Sequence, residues 1–214
     1  MPDKYRYEEF TWPEIKSAVS GNRVCVLAVG TIEQHGPHLP LVTDVLTASE
    51  MSRLAVERIP SEAVLMPPVF YAFNEHHMDF PGTLSVDMEI CLAYVSQVAI
   101  SVARHGFTHI FIVNGHGSNQ AICELAARKV VLETGVICAN TTINAAVNPV
   151  LVQDELDANR KGGWGSVGHA CEYETAMMLH SFPELVQMDK AKRDIGQLKL
   201  KYFNWDFPDP SPYS

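Results

Sequence analysis

The apolar positions of this chain fall into two kinds of run that alternate. Short continuous stretches of β-branched and apolar residues occur at 23–30, 63–69, 108–113 and 136–143. Such runs predict strands covered on both faces. Between them lie longer stretches with the spacing of one-sided helices. Residues 7–20 predict a short helix, with Thr11 at its N-cap and Pro13 just inside. Residues 44–58 predict a second, with Leu46, Met51, Leu54 and Ala55 on one face. Residues 85–104 predict a long helix capped by Ser85 and ended near Gly106, and residues 119–133 one ended by Gly135. A last helix is predicted over 170–181. Strands alternating with helices argue for an α/β fold, its mainly parallel sheet flanked by helices through right-handed crossovers.

Three stretches stand apart from this rhythm. Residues 70–83 form a loop rich in His and aromatic residues. Residues 145–167 are irregular and contain Gly162-Gly163-Trp164-Gly165; loops of that length are often functional. The tail, 202–214, has no periodicity. No repeat or linker divides the 214 residues, so one domain over 1–214 is expected.

Charge and cysteine usage narrow the function classes. Net charge is -9, and no Lys/Arg run makes a footprint for nucleic acid or an anionic membrane. No apolar stretch approaches the roughly 18 residues of a membrane span. The amino terminus lacks the apolar core of a signal peptide. The five cysteines are scattered without a CxxC pair, which suits a reducing cytoplasm. A cytoplasmic protein is expected, with neither nucleic acid nor membrane as partner.

The chemistry lies at the element junctions. Glu33, His35 and Asp44 occupy the loop after the first strand, and His116 follows the third. Glu172 and Glu174 lie on the last helix, just after His169. In open α/β sheets ligands bind at the carboxyl ends of strands, so these groups are expected to meet. Mixed N/O donors suit Zn, Mn or Fe rather than Ca. One carboxylate offers two oxygens, so Asp44 could bridge two ions; taken alone, it reads as a helix N-cap. Either Glu174 or Glu172 would complete the set. The stretch from Phe73 to Thr83, with Asn74, Glu75 and His76, lines the pocket or supplies hydrogen bonds to the ligands. Cys171 beside His169 also permits a thiol nucleophile.

These motifs resemble the creatininase (creatinine amidohydrolase) family. The resemblance is carried by Gly30-Thr-Ile-Glu-Gln-His-Gly-Pro-His-Leu-Pro40 with Thr43-Asp44, by Glu75-His76 with Phe80-Pro-Gly-Thr-Leu84, by Asn114-Gly-His-Gly-Ser-Asn119, and by Gly168-His-Ala-Cys-Glu-Tyr-Glu-Thr175. It implies a three-layer Rossmann-like fold, a homo-oligomer that is often hexameric, and a two-metal site that hydrolyses non-peptide C–N bonds. By that resemblance Glu33, His35, Asp44, His116 and Glu174 are the metal ligands, with Asp44 bridging. His169 is the catalytic or substrate-facing histidine, and Glu172 is a weaker ligand or acid/base candidate. Creatininase itself carries a Tyr-Glu pair where this chain has Gly117-Ser118, and a small hydroxyl residue is common where Asn74 stands, which argues against creatinine as substrate. The broader family includes a deformylase of a formylamino-pyrimidine nucleotide and a peptidase that trims a cofactor precursor.

The expected activity is therefore hydrolysis of a cyclic amide or formamide in a small molecule by a metal-bound hydroxide. His169 or Glu172 moves the proton, and Asn74, Glu75, His76, Ser118 and Trp164 face the substrate. The rival readings are a Cys171/His169 thiol amidase and a non-catalytic metal-binding module.

Overall fold

The four apolar runs form four strands: β1 (Val24–Val29), β2 (Ala63–Leu65), β3 (His109–Asn114) and β4 (Ile137–Thr142). They pair in parallel in the order β2-β1-β3-β4, with Val26 opposite Leu65 on one side and Phe111 on the other. The structure is a computed structural model that describes residues 4–143, 155, 158–161 and 168–193. Trp164 and the 202–214 tail lie outside the described residues, as does most of the predicted 145–167 loop.

β2 is shorter than its apolar run because Pro67 and Pro68 have no N–H to give a ladder. The ladder resumes around them: Met66 N–H donates to the Val26 carbonyl at 2.8 Å and Val69 N–H to that of Ala28 at 2.9 Å.

Among the described residues the sheet is flanked by the helices α1 (Trp12–Ser20), α2 (Thr43–Glu57), α3 (Met88–Arg104), α4 (Gln120–Thr134) and α5 (Glu172–Ser181). α1 starts at the expected cap, where the Glu14 carboxylate accepts the Thr11 N–H at 2.7 Å. Residues Tyr7–Glu9 form a separate 3-10 turn instead of a first helical turn. α3 starts after Asp87 rather than Ser85; the Ser85 hydroxyl instead accepts the Asn74 N–H at 3.0 Å. α4 ends at Gly135, whose φ of 74° is the left-handed stop that glycine allows.

Strand alternation sorts the core onto two faces. Leu27, Val29 and Ile112 pack with Cys91 and Val95 of α3 and Ile122 and Ala126 of α4. Val26, Ala28 and Val113 pack on the other face with Ala48 and Val56 of α2, and Met177 of α5 joins them. Each fully buried Val, Leu or Ile contributes about 1.5–3 kcal/mol. The result is the expected α/β sandwich of helices, parallel sheet and helices. Among the described residues no helix is long and apolar enough to cross a membrane.

The strand order fixes where a site can form. From β1 the chain turns to β2 on one side and later to β3 on the other, so a crevice opens at the carboxyl ends of β1 and β3. The amino end of α2 enters this crevice, and two glycines admit it. A Cβ at Gly115 would lie 2.3 Å from the Asp44 carbonyl oxygen, and one at Gly30 would lie 2.5 Å from the Val45 nitrogen. Both contacts are to backbone, which cannot rotate away.

Gly115→Ala is expected to destabilise the protein at or beyond the upper end of the usual overpacking range, about 3 kcal/mol. Gly135→Ala has open space around its Cβ and is expected to cost only about 1–2 kcal/mol for the left-handed backbone. Urea unfolding of both variants checks this. Equal losses would mean that close approach at Gly115 does not limit the fold.

Candidate metal centre

The crevice gathers side chains from every element that borders it. The loop after β1 brings Glu33 and His35, the first turn of α2 brings Asp44, and the turn after β3 brings His116. His169 precedes α5, and Glu174 projects from its first turn. Glu33, His35, Asp44, His116 and Glu174 are all buried.

Asp44 lies at the centre. One of its oxygens is 3.0 Å from His35 Nε2, and the other is 3.0 Å from His116 Nδ1. It is not the N-cap expected for a lone Asp at a helix start. The cap position is Val42, and Asp44 stands one residue inside the helix, so its carboxylate is free to face the crevice. Glu33 forms a second hub: its Oε1 is 3.2 Å from His116 Nδ1, 3.3 Å from His169 Nδ1 and 3.7 Å from His35 Nε2. Glu174 divides its oxygens. Oε2 accepts the Cys171 N–H at 3.2 Å, closing the first turn of α5, and Oε1 lies 4.0 Å from His35 Nε2.

The three histidines share a pattern of anchoring. His35 Nδ1–H donates to the Glu33 carbonyl at 3.2 Å. The Ser118 hydroxyl donates to the Phe73 carbonyl at 3.2 Å and so accepts His116 Nε2–H at 2.6 Å. His169 Nε2–H donates to the Gln34 carbonyl at 2.6 Å. Each ring thus spends one nitrogen on a fixed protein oxygen and turns the other toward the carboxylates. That is how imidazole ligands of metals are oriented.

Electrostatics point the same way. Burial alone would lower the His35 pKa, but Asp44, Glu174 and Glu33 outweigh it and lift it to about 10. His116 is likewise lifted to about 10 against its burial, by Glu33 and Asp44. Burial would raise Glu33, yet His116, His77 and His35 hold it well below the ordinary range. Glu174 is pushed up to about 7, by burial first and then by Asp44 and Glu33. His169 goes well below its ordinary value because it is buried and faces the charge of His35. Without a cation, protons on His35 and His116 compensate the carboxylates. His35 Nε2 and Asp44 Oδ2 nonetheless make no well-angled hydrogen bond with any described group. Buried polar atoms in that condition, within an N/O set of this geometry, fit a divalent transition-metal ion. Three sets among the described residues are close enough to share one: Glu33 with His35 and Asp44, Glu33 with His76 and His116, and Glu33 with His77 and His169.

A cavity of about 320 Å³ opens beside these groups, lined by Glu33, Asp44, His76, His116, His169 and Glu174, with Gln120 and Thr142 on its wall. His76 lies nearly parallel to the His116 ring, at 5.5 Å between centroids. Other expected residues point elsewhere. Ser118 holds the back of His116 rather than facing the cavity. Asn74 is buried and ties its loop to the Ile32 carbonyl at 3.4 Å, and Glu75 is exposed. Glu172 accepts the Lys161 N–H at 2.9 Å and is not among the lining residues, so the geometry does not support it as the acid/base. Cys171 is the N-cap of α5, its thiol pushed up by burial and by Glu174, and it too is absent from the lining. His77 lies in the 73–83 stretch expected to line the pocket or hydrogen-bond the ligands, and its Nδ1 is 2.9 Å from Glu33 Oε2; Gln34, not singled out from the sequence, anchors His169.

The chain matches the family model for creatininase, described as creatinine amidohydrolase, over residues 8–213. It is 29% identical over 195 residues to creatinine amidohydrolase of Pseudomonas putida, covering 85% of this chain and 74% of the relative. It is 32% identical over 169 residues to a mycofactocin precursor peptide peptidase of Mycolicibacterium smegmatis, covering 77% of this chain and 60% of the relative. A solved creatininase variant of Zn–Zn type superimposes with a TM-score of 0.84 at 26% identity, over 98% of this chain and 84% of the other. A solved manganese creatininase gives a TM-score of 0.82 at 27% identity, over the same shares of 98% and 84%. The chain belongs to the creatininase family, and the relatives it matches are hydrolases.

The raised His pKa values set a pH dependence. His35 and His116 bind protons more tightly folded than at the ordinary value of 6.5. Their stabilisation of the metal-free protein is therefore fully present below pH 6.5 and lost as pH rises toward about 10. Chelator-treated protein is expected to melt at a lower temperature at pH 9 than at pH 6.5. A divalent cation must displace the same protons, so its affinity should rise across that window. A metal-free melting temperature that rises from pH 6.5 to 9 would contradict the assignment.

Proposed function

We propose that this member of the creatininase family is a metal-dependent amidohydrolase acting on a small-molecule, non-peptide amide of cyclic or formamide type. The observation that carries the reading is Asp44, buried with one oxygen toward His35 and the other toward His116. On this reading Glu33, His35, Asp44, His116 and Glu174 would hold two divalent cations, with the Asp44 carboxylate, which faces both histidines, shared between them. The zinc and manganese forms of the similar creatininases support Zn or Mn as the ions. Such ions supply a water-derived nucleophile near neutral pH and polarise the carbonyl under attack.

The chain's own groups do the rest. His35, His116 and His169 are held in orientation by their outer N–H bonds, so ordering them costs little when a ligand arrives. His169 lines the cavity, and its depressed pKa keeps Nδ1 unprotonated at neutral pH. That nitrogen accepts a proton and returns it to the leaving nitrogen of the amide. The cavity lies at the lower end of the ~300–1,000 Å³ range of small-molecule pockets, which favours a compact substrate over a polypeptide.

Elemental analysis and an amide panel test the reading. Asp44→Ala is expected to lose bound metal and activity together. His169→Ala is expected to keep its metal and lose about two to four orders of magnitude in rate, the range of a general acid/base. A chelator should abolish turnover, whereas a thiol enzyme built on Cys171 would survive it. If Asp44→Ala retains full metal content and activity, the bridging role is wrong.

Creatinine itself is expected to be a poor substrate. Gly117-Ser118 supplies neither a carboxylate nor an aromatic ring, and the Ser118 hydroxyl is spent on His116 and the Phe73 carbonyl. A steady-state assay with Zn or Mn present decides this; turnover near the typical enzyme value of about 10 per second would refute it.

A further inference from the structure

Glu33 has two oxygens, and only one faces the crevice. Oε1 meets His116 and His169, whereas Oε2 meets His77 Nδ1 at 2.9 Å. His77 lies on the 3-10 turn Glu75–His77, on the 70–83 loop, outside the three junction clusters. We propose that His77 is a positioning residue: its Nδ1–H holds Oε2 of Glu33, so that the carboxylate presents a single oxygen to a cation. The inference rests on the reading of Glu33 as a metal ligand.

The turn that carries His77 is built to hold it still. The Asn74 carbonyl accepts the His77 N–H at 3.4 Å, and the His77 carbonyl accepts the Phe80 N–H at 3.1 Å. The loop is stitched to the Glu33 segment at its far end: Thr83 Oγ1 accepts the Gln34 N–H at 3.2 Å, and the Ile32 carbonyl accepts the Leu84 N–H at 2.9 Å. The His77 ring is buried between the edge contact to Phe80, at 6.3 Å, and the His169 ring, at 4.3 Å. Glu33 is 1% exposed, so water cannot replace a lost donor on Oε2 without cost. A neutral imidazole carrying its proton on Nδ1 is sufficient for this role, so the proposal does not depend on titration. With Oε2 unheld, the carboxylate can turn and offer both oxygens to one ion or to His169, and the site loses its prearranged shape. Groups that orient metal ligands in this way are typically worth about 10–100-fold in metal affinity.

The test compares three variants by calorimetric titration of manganese into chelator-stripped protein, with circular dichroism to confirm folding. His77→Asn places an amide N–H near Nδ1 and should bind manganese within about threefold of the parent. His77→Leu keeps the bulk and removes the donor, and should bind about 10–100-fold more weakly. Should the Leu variant not fold, His77→Ala is read the same way. Equal losses in the Asn and Leu variants would reduce His77 to a packing role and overturn the proposal, as would unchanged affinity in the Leu variant. Loss of a separate, additional metal equivalent with the remaining affinities intact would make His77 a ligand in its own right, and also overturn it. Glu33→Gln separates the two levels: parental affinity in that variant would remove Glu33 from the ligand set, whatever His77 does.

Discussion

The site depends on how closely the amino end of α2 approaches the ends of β1 and β3. Gly30 and Gly115 let backbone meet backbone where any side chain would collide with Asp44 or Val45. That approach carries Asp44 to the middle of the crevice and keeps it one residue inside the helix, where capping does not use its carboxylate. Moving α2 outward by the width of a methyl group would take Asp44 away from both His35 and His116. On the proposed reading the metal centre depends on the packing of one helix against two strand ends, and its ligands are only as well placed as that contact.

Burial then makes the charge problem acute. Glu33, Asp44 and Glu174 lie within one small buried region, and their close partners among the described residues are histidines, the Cys171 amide and one another. Protons on His35 and His116 compensate part of that charge. On the proposed reading a divalent cation would compensate more of it, and His35 Nε2 and Asp44 Oδ2, which have no well-angled hydrogen bond among the described groups, would be free to hold it. Fixing each ring through its outer N–H means that binding a cation exchanges protons without reorganising side chains. The same anchors tie the site to the fold: the β1 loop holds His35 and His169, the β3 turn holds His116, and the 70–83 loop holds Glu33 through His77.

Much of this was legible in the sequence. Apolar runs located the four strands, and their alternation with helices located the carboxyl-end crevice. Glu33, His35, Asp44 and His116 stood out because each follows a strand or opens a helix, and the family resemblance, not position, singled out Glu174 over Glu172. What was not legible depends on contacts between distant segments. Ser118 reads as a pocket residue, yet its hydroxyl supports the back of His116. Glu172 and Glu174 are two apart on one helix, and only the packing of α5 against α2 decides that Glu174 turns inward while Glu172 meets Lys161. His77 looks like one more polar loop residue until the loop folds against Glu33. β2 is the exception, since Pro67-Pro68 announced its early end and the apolar pattern hid it.

Whether Asp44 is shared between two ions can be read directly by anomalous diffraction from crystals of the protein grown with manganese. If Asp44 is a shared ligand, two peaks per chain are expected within the cluster of Glu33, His35, Asp44, His116 and Glu174, both within coordination distance of Asp44. A single peak that leaves either histidine without a neighbour, or peaks away from Asp44, would contradict it.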